Sequence, residues 1–169
     1  MRNLLKWKRP LNQNESPTTV DSAKGAGAVN NYVLGFMFSK DGADVALIRK
    51  NKPEWQAGKL NGIGGKIEVP ESAAAAMVRE FTEETGFKTR DFEWKHFASM
   101  QGPDFSVQCF CCRNDLTLLR SMESEPVASY RLLDVVDSTE TIENLGWLML
   151  VARDAFSDGR SSFARIYYP

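Results

Sequence analysis

The chain has 169 residues, of which 43% are hydrophobic and 25% are charged, a balance typical of a soluble globular protein rather than a disordered or fibrous one. This length fits one domain that can bury a substantial core. The formal net charge of -1 provides no basic field for a nucleic-acid duplex or an anionic membrane, so any binding of phosphate must be local.

The first residues are polar and rich in Asn, Ser, Thr and Pro, which predicts a flexible arm over 1–26 and one folded domain over 27–169. The arm has no apolar run of signal-peptide length, and no later segment is long and apolar enough to span a bilayer. The cysteine count of three is odd. These features predict a cytoplasmic, reducing setting and no membrane partner.

Two strands are predicted first, in "NYVLGFMFSK" and "DVALIRKN", and the Asp41-Gly42 pair between them is typical of a hairpin turn. A glycine-rich loop, "NKPEWQAGKLNGIGGK", follows. A helix is predicted next, because Ser72 is a suitable N-cap, the alanines after it are strong helix formers, and Gly86 is placed to end the helix.

Further strands are predicted near "EWKHFASMQ", "SVQCFCCR" and "VASYRLLDV". A second helix is predicted near "IENLGWLMLVARDAF", where Leu145, Leu148, Met149 and Ala152 recur at helical spacing. The ending "SSFARIYYP" is compatible with a last strand, an arm or an edge contact. This order of elements predicts one mixed domain of the α/β class, with an α+β arrangement.

The three cysteines lie together on one predicted strand. Alternation along that strand puts Cys109 and Cys111 on the same face, next to Cys112. The favoured interpretation is that they are small buried hydrophobic residues. A zinc site would need further ligands, and the only histidine is His96.

The end of the first helix concentrates the carboxylates of Glu80, Glu83 and Glu84 on one face, because positions i, i+3 and i+4 are neighbours on a helix surface. Like charges at this spacing cost about 0.2–0.5 kcal/mol per pair, and carboxylates in the last turn oppose the helix dipole by about 0.3–1 kcal/mol each. A bound Mg²⁺ would reverse this cost, because it prefers oxygen ligands. The alternative is a solvated acidic face neutralised by Arg79 and Lys66.

A longer pattern distinguishes these alternatives. The stretch 65–87 fits G-x5-E-x7-R-E-U-x-E-E-x-G-U, where U is a bulky apolar residue. The fixed positions are Gly65, Glu71, Arg79, Glu80, Phe81, Glu83, Glu84, Gly86 and Phe87. The pattern resembles the signature of the Nudix hydrolases. The resemblance implies a Nudix fold, in which a mixed β-sheet is sandwiched between α-helices.

The resemblance also implies an activity. Members of that family hydrolyse a nucleoside diphosphate linked to a further group: water attacks phosphorus, while Mg²⁺ or Mn²⁺ neutralises the diphosphate and helps to form the nucleophile. By this likeness, Glu80 and Glu84 are expected to hold the metal. Glu83 is expected to be a further ligand or the general base, with Glu80 as the alternative base.

Supporting roles follow from the same resemblance. Arg79 is expected to orient the glutamates through a bidentate pair, Glu71 to support the loop, and the backbone carbonyl of Gly64 to be an extra metal ligand. One more carboxylate usually comes from outside the signature, and Glu123 and Glu125 are the candidates. Glu125 is favoured because it stands five residues before Tyr130, where relatives often carry an aromatic residue.

Two further segments bear on the substrate. "GKLNGIGGKIE" resembles the G-x-W-N-G-x-G-G-K stretch of Nudix enzymes that hydrolyse oxidised purine nucleoside triphosphates, which implies that Asn61 binds the base, although Leu60 replaces the tryptophan. "IENLGWLM" resembles the segment in which those enzymes place two acidic residues. Glu143 and Asn144 occupy those positions, and the alternative is an ordinary helix start.

Two side chains near the glycine-rich loop have open roles. Trp55 is expected either to stack on a base or to pack against the protein. Lys66 is expected either to contact a phosphate or to remain a surface lysine. Pro103 stands where ADP-ribose hydrolases carry a proline, but a single proline is too generic to identify that substrate.

The predicted protein is a metal-dependent pyrophosphohydrolase acting on a small nucleotide, a purine or oxidised-purine nucleoside triphosphate, with release of monophosphate and pyrophosphate. ADP-ribose, nucleotide sugars, dinucleoside polyphosphates and capped RNA ends are the alternative substrates. A non-catalytic nucleotide sensor is the competing class; sensors can lose the glutamates, whereas this chain retains all of them. A homodimer is left open by the sequence.

Overall fold

The computed structural model describes residues 29–156 and 163–169. The predicted arm over 1–26 lies outside the described residues, as do residues 157–162, so the boundary between arm and domain stays a prediction. Among the described residues, no helix has the length and apolar character needed to cross a membrane.

The described strands form one mixed, seven-stranded sheet. They are β1 (Asn30–Phe38), β2 (Asp44–Arg49), β3 (Leu60–Asn61), β4 (Lys95–Gln101), β5 (Phe105–Arg113), β6 (Val127–Arg131) and β7 (Ala164–Tyr167). The order is β3-β2-β1-β5-β4-β7, and β6 pairs with β2. The β1–β5 and β4–β7 pairs are parallel and the others antiparallel. Hairpin β1–β2 turns at Asp41-Gly42, as predicted.

Three α-helices are described: α1 (Ala73–Thr85), α2 (Leu132–Val135) and α3 (Leu145–Asp154). Both predicted ends of α1 are confirmed. The Ser72 side chain accepts a hydrogen bond from the Ala75 N–H at 3.1 Å. Gly86 takes a φ of +68°, in the left-handed region that favours glycine at a helix end.

One predicted strand is shorter than expected, and the C-terminal segment, which the sequence left open, forms a strand. The strand predicted over "VASYRLLDV" ends at Arg131, and the residues after it form α2. Leu132 and Val135 are buried while Leu133 is exposed, a helical spacing that replaces the strand alternation. The C-terminal segment is resolved as strand β7 at the edge of the sheet, next to β4.

The core lies on both faces of the sheet, because side chains alternate along each strand. On β1, Phe36 and Phe38 pack on the face covered by α3, whereas Met37 packs on the face covered by α1. The layers are therefore helix, sheet, helix, as the Nudix resemblance implied.

The cysteines belong to this core. Cys109 and Cys111 share the α3 face and Cys112 lies on the α1 face. All three are buried free thiols, which confirms that they act as small hydrophobic residues. Burial raises the pKa of Cys109 and that of Cys111 to about 12, so these thiols stay protonated at neutral pH.

The loop before α1 is held against β1. The N–H of Gly35 donates to the Ile63 carbonyl at 2.7 Å, and the N–H of Val33 donates to the Gly65 carbonyl at 2.9 Å. This pairing fixes the signature loop beside the first half of β1 and opposite the acidic face of α1.

Candidate active site

The acidic face of α1 approaches the signature loop at a glycine. A Cβ placed on Gly65 would lie 2.5 Å from the carboxylate atoms of Glu80, well inside van der Waals contact. The missing side chain therefore leaves the space that the Glu80 carboxylate occupies. Any other residue at position 65 would push this carboxylate away from the loop.

Arg79 joins the loop to the acidic face. Its Nε and Nη2 donate to the two carboxylate oxygens of Glu71 at 3.1 and 2.6 Å, which is the bidentate geometry. Its Nη1 donates to Glu80 at 2.9 Å and to Glu83 at 3.1 Å, and Nη2 also donates to the Lys66 carbonyl at 3.0 Å. One guanidinium thus fixes three carboxylates, and hydrogen bonding by Glu71 raises the pKa of Arg79 above its ordinary range.

Glu84 is the most buried carboxylate of the site, at 7% exposure. Its Oε2 accepts one long hydrogen bond, 3.3 Å, from the N–H of Gly64. Burial raises the pKa of Glu84 to about 7; Lys50 and the Gly64 N–H oppose the rise, and the carboxylates of Glu80 and Glu125 add to it. The negative charge of Glu84 is therefore only partly compensated by the protein.

Glu80 and Glu83 differ in their surroundings. The Glu80 side chain is 16% exposed, and burial raises its pKa although Arg79 opposes the rise. The Glu83 side chain is 51% exposed. Of the two candidate bases, Glu83 is the one that faces solvent.

Glu125 lies on the loop before β6 and reaches the same site. It forms an ion pair with Lys50 and accepts the N–H groups of Asn51 at 2.5 Å and Lys52 at 3.2 Å. Burial works against the ionised form, but these hydrogen bonds outweigh it and lower the pKa of Glu125. Glu123 is exposed, so of the two candidate residues, Glu125 is the one placed near Glu84.

The donor set is made of carboxylate and carbonyl oxygens, which is the chemistry that a hard divalent cation such as Mg²⁺ prefers. Among the described residues, no three acidic, histidine or cysteine side chains form a ready-made metal cluster; Glu80 and Glu83 are hydrogen-bonded to Arg79, and Glu125 to Lys50. The residues nevertheless fit a cation, because Glu84 is a buried carboxylate with a partly compensated charge and Gly65 leaves room beside Glu80.

A cavity of about 730 Å³ opens next to these carboxylates. Its apolar walls include four aromatic side chains, Tyr32, Trp55, Phe105 and Tyr168, and its polar walls include Asn30, Lys50, Lys52, Gln56, Asn61 and Asp104. The backbone of Gly64 and Gly65 also lines the cavity. The part of the cavity bordered by the four aromatic side chains, called the aromatic chamber below, is therefore continuous with the signature loop.

Some of the predicted substrate-binding residues line the cavity, and others lie outside it. Asn61 lines the cavity; its amide nitrogen donates to Gln56 at 3.2 Å and its side-chain oxygen accepts the Gly62 N–H at 2.8 Å. Trp55 also lines the cavity and is 44% exposed. Lys66 and Glu143 are exposed and are not among the residues that line it.

Asn144 reaches the cavity through a neighbour. It is buried, and its side-chain amide donates to the hydroxyl of Tyr168 at 2.6 Å. Tyr168 in turn packs near Phe105, with 5.8 Å between the ring centroids. Asn144 therefore holds a cavity wall in place rather than lining the cavity itself.

The sequence analysis missed Lys50 and the walls formed by Tyr32, Phe105 and Tyr168. Parallel pairing of β1 with β5 puts Tyr32 and Phe105 at the same end of the sheet, and β7 brings in Tyr168. No local pattern in the sequence predicts these long-range strand pairings. For Lys50, the available signal was its position at the end of a predicted strand that leads into the glycine-rich loop.

The family model described as the NUDIX domain matches residues 30–145, whereas no curated protein gives a significant match. The chain is similar to a solved MutT structure from work on Aliivibrio salmonicida and Vibrio cholerae, with 22% identity, a TM-score of 0.61 and coverage of 73% of this chain and 96% of that one. It is also similar to an ADP-ribose pyrophosphatase from Streptococcus suis, with 19% identity, a TM-score of 0.60 and coverage of 82% and 98%.

A third similar structure is the NUDIX domain of Shewanella oneidensis NrtR in complex with ADP ribose, with 17% identity, a TM-score of 0.67 and coverage of 78% of this chain and 90% of that one. At these identities the structural likeness establishes the fold. Since the family model spans more than half of the chain and includes all of α1 with its signature loop, the chain belongs to the Nudix family of hydrolases, which act on phosphorus anhydrides.

Proposed function

We propose that the protein is a metal-dependent pyrophosphohydrolase that converts a purine or oxidised-purine nucleoside triphosphate to the monophosphate and pyrophosphate. The observation that carries the proposal is the continuity between the aromatic chamber and the signature loop: Trp55 and Tyr168 line the same cavity as Gly64, Gly65 and Lys50. A base held in the chamber directs its phosphates toward Glu80 and Glu84.

The chamber suits a purine. Aromatic rings provide flat apolar surfaces on which a base can stack, and the Asn61 amide can both donate and accept hydrogen bonds. Asp104 adds an acceptor for an exocyclic amino group. Glu143 is proposed to act only from the rim, since it lies outside the lining residues.

The cation would be Mg²⁺ or Mn²⁺, held by Glu80, Glu83, Glu84, Glu125 and the Gly64 carbonyl, and when bound it neutralises the diphosphate and favours formation of the nucleophile. The other tasks fall to the chain's own residues. Arg79 keeps Glu71, Glu80 and Glu83 in fixed positions through its hydrogen bonds.

Glu83 accepts a proton from the attacking water, with Glu80 as the alternative base, because the Glu83 carboxylate faces solvent and is steadied by Arg79. Attack on phosphorus breaks the anhydride bond, and the two phosphate products leave. Lys50, beside Glu84 and Glu125, provides a positive charge for a phosphate oxygen at the cavity mouth. The buried free thiols fit a reducing, cytoplasmic setting.

ADP-ribose is the second candidate substrate. Pro103 lines the cavity, and two similar structures are an ADP-ribose pyrophosphatase and an ADP ribose complex. The cavity volume of about 730 Å³ lies within the range of sites for small molecules of this size.

Substrate and catalysis are tested together. The protein is incubated with Mg²⁺ and purine triphosphates, oxidised-purine triphosphates, ADP-ribose or diadenosine polyphosphates, and the released products are separated by chromatography. We expect triphosphate turnover to monophosphate and pyrophosphate. Glu83→Gln is expected to lower kcat by about 100-fold or more, the usual size of a general-base contribution.

Asp137→Asn, an exposed carboxylate far along the chain from the signature, is the matched control and is expected to keep full activity. Preferred turnover of ADP-ribose would replace the proposed substrate by the second candidate. Tight nucleotide binding without turnover of any compound would identify a sensor instead.

The role of the C-terminal wall has its own test. Tyr168→Ala is expected to raise KM about tenfold with a smaller change in kcat, because base stacking contributes about 1–3 kcal/mol and 1.4 kcal/mol corresponds to a factor of ten. Tyr168→Phe keeps the ring and loses only the hydrogen bonds of the hydroxyl, from Asn144 and to the Met100 sulfur, so a smaller rise in KM is expected. Tyr167→Ala is the control, because Tyr167 is 69% exposed and does not line the cavity.

A further inference from the structure

A second cavity, of about 460 Å³, lies at the other end of the sheet. It is bordered by the β1–β2 hairpin at Asp41 and Gly42, by Arg113 at the end of β5, by Arg131 at the end of β6, and by Arg153 near the end of α3. The parallel strands β1 and β5 begin at the substrate cavity and end here. The first residues of β1, up to Leu34, line the substrate cavity, and the hairpin that follows β1 borders the second cavity, so the two cavities lie toward opposite ends of this strand.

Three arginines line this cavity, Arg113, Arg131 and Arg153. Within the described ranges, none of them forms a salt bridge with another described residue. Arg113 instead lies over the ring of Phe156, 4.7 Å from its centroid. Three like charges in one cavity repel one another, so an anion bound among them is stabilised.

The acidic residues at the cavity offset only part of this positive charge. Asp41 and Asp154 line it. The Oδ1 of Asp41 accepts hydrogen bonds from the Ser39 hydroxyl at 2.6 Å and from the Ala43 N–H at 3.0 Å, as part of the hairpin turn. These hydrogen bonds, together with the nearby charge of Arg113, lower the pKa of Asp41. Among the described residues that line the cavity, three arginines against two aspartates give a net positive formal charge.

We propose that this cavity is a second binding site, separate from the catalytic site, for a small phosphate-bearing anion. Arginine presents a planar fork that matches phosphate oxygens bidentately, and three such forks suit an anion with several oxygens better than a single carboxylate. The volume is within the range of small-molecule sites. The phosphate could belong to free inorganic phosphate or pyrophosphate, or to a nucleotide.

The test follows backbone amide signals of the full chain by NMR during titration with orthophosphate, pyrophosphate or AMP. EDTA is present throughout, so that metal-dependent binding at the glutamates does not contribute. We expect saturable shifts at Gly42, Ala43 and Arg113. The three titrations distinguish the sources: pyrophosphate binding without AMP binding identifies the free anion, and comparable AMP binding identifies a nucleotide phosphate.

Substitutions of the cavity arginines test whether their side chains bind the anion. Arg113→Gln combined with Arg153→Gln is expected to weaken binding by about tenfold or more for each guanidinium removed. Arg131→Lys keeps the charge but loses the planar fork, so its affinity for the anion is expected to fall by a few-fold. This single variant provides the test if the double variant folds poorly. Arg120→Gln, an exposed arginine outside the cavity, should bind as the unmodified protein does.

Shifts confined to the loop at Gly62–Gly65, or affinities unchanged in the double variant and in Arg131→Lys, would overturn the proposal. So would the absence of saturable shifts at these amides with all three phosphate compounds. Saturable shifts that the arginine substitutions weaken would support it.

Discussion

Replacing Glu84 by Gln is expected to remove hydrolysis and, in the same variant, to stabilise the metal-free protein at neutral pH. Glu84 is 7% exposed and burial raises its pKa to about 7, against 4.5 as its ordinary value. At 1.36 kcal/mol per pKa unit, ionising this buried carboxyl costs about 3 kcal/mol. The Gln side chain has nearly the same shape, and its carbonyl can still accept the Gly64 N–H, so the cost disappears while the packing remains.

The pH dependence has a definite sign. A carboxyl whose pKa is higher in the folded state binds more protons there than in the unfolded chain, so stability falls as pH rises between the two values. For Glu84 the window is pH 4.5 to about 7. Glu84 is therefore expected to contribute a fall of about 3 kcal/mol to the free energy of unfolding across this window. Urea unfolding in EDTA of the unmodified protein and of Glu84→Gln isolates this contribution as the difference between the two pH profiles.

The same substitution separates stability from activity. Loss of one preorganised electrostatic group in a catalytic site costs about 100-fold to 1000-fold in rate, so turnover should drop by at least this factor. Added Mg²⁺ should stabilise the unmodified protein more than the variant. Glu123→Gln, at an exposed position, should leave the pH dependence of unfolding unchanged. A Glu84→Gln protein that is less stable in EDTA at pH 7.5 would contradict the account of Glu84 as a partly compensated buried charge.

Helix α1 could be predicted closely because its determinants are local. The Ser72 cap, the alanines and the left-handed Gly86 lie within one stretch of sequence, and the i, i+3, i+4 spacing alone puts the three glutamates on one face. Helix α2 could not, because its apolar residues also fit a strand, and only burial of Leu132 and Val135 with exposure of Leu133 decides between the two.

Proximity to the signature in the sequence did not identify the lysine that lies at the site. Lys66 follows the signature glycines, which made it a candidate for phosphate contact, yet its side chain is exposed while its carbonyl accepts a hydrogen bond from Arg79. Lys50 is far from the signature in sequence, and the pairing of β2 with β6 puts it beside Glu125. The cavity walls likewise depend on pairings among β1, β5 and β7, so their members could not be chosen from local patterns.

The electrostatic cost of placing Glu80 beside Glu83 is offset within the protein itself. The carboxylates of Glu80 and Glu83, which the spacing predicts to repel each other, both accept hydrogen bonds from Nη1 of Arg79. The same guanidinium is held by Glu71. Arg79 is therefore expected to determine the positions of the glutamates before any cation or substrate binds.

Arg79→Ala is accordingly expected to lower kcat by about 100-fold or more and the free energy of unfolding by about 2–3 kcal/mol, because partly buried carboxylates lose their common partner. Arg79→Lys keeps one positive charge without the planar fork. Compared with Arg79→Ala, it should therefore restore more of the free energy of unfolding than of kcat. Steady-state kinetics and urea unfolding measure both quantities. Arg90→Ala, at an exposed arginine outside the site, is the control and should retain activity.

A double-mutant cycle then distinguishes positioning by Arg79 from a simple loss of charge. If Arg79 acts by fixing the loop through its bidentate pair with Glu71, Glu71→Gln should cost kcat in the unmodified protein but little more in the Arg79→Ala background, because contacting residues in one network are not additive. Additive losses in kcat would mean that the two residues act independently. In that case the Arg79–Glu71 pair would not be what holds Glu80 and Glu83 in place.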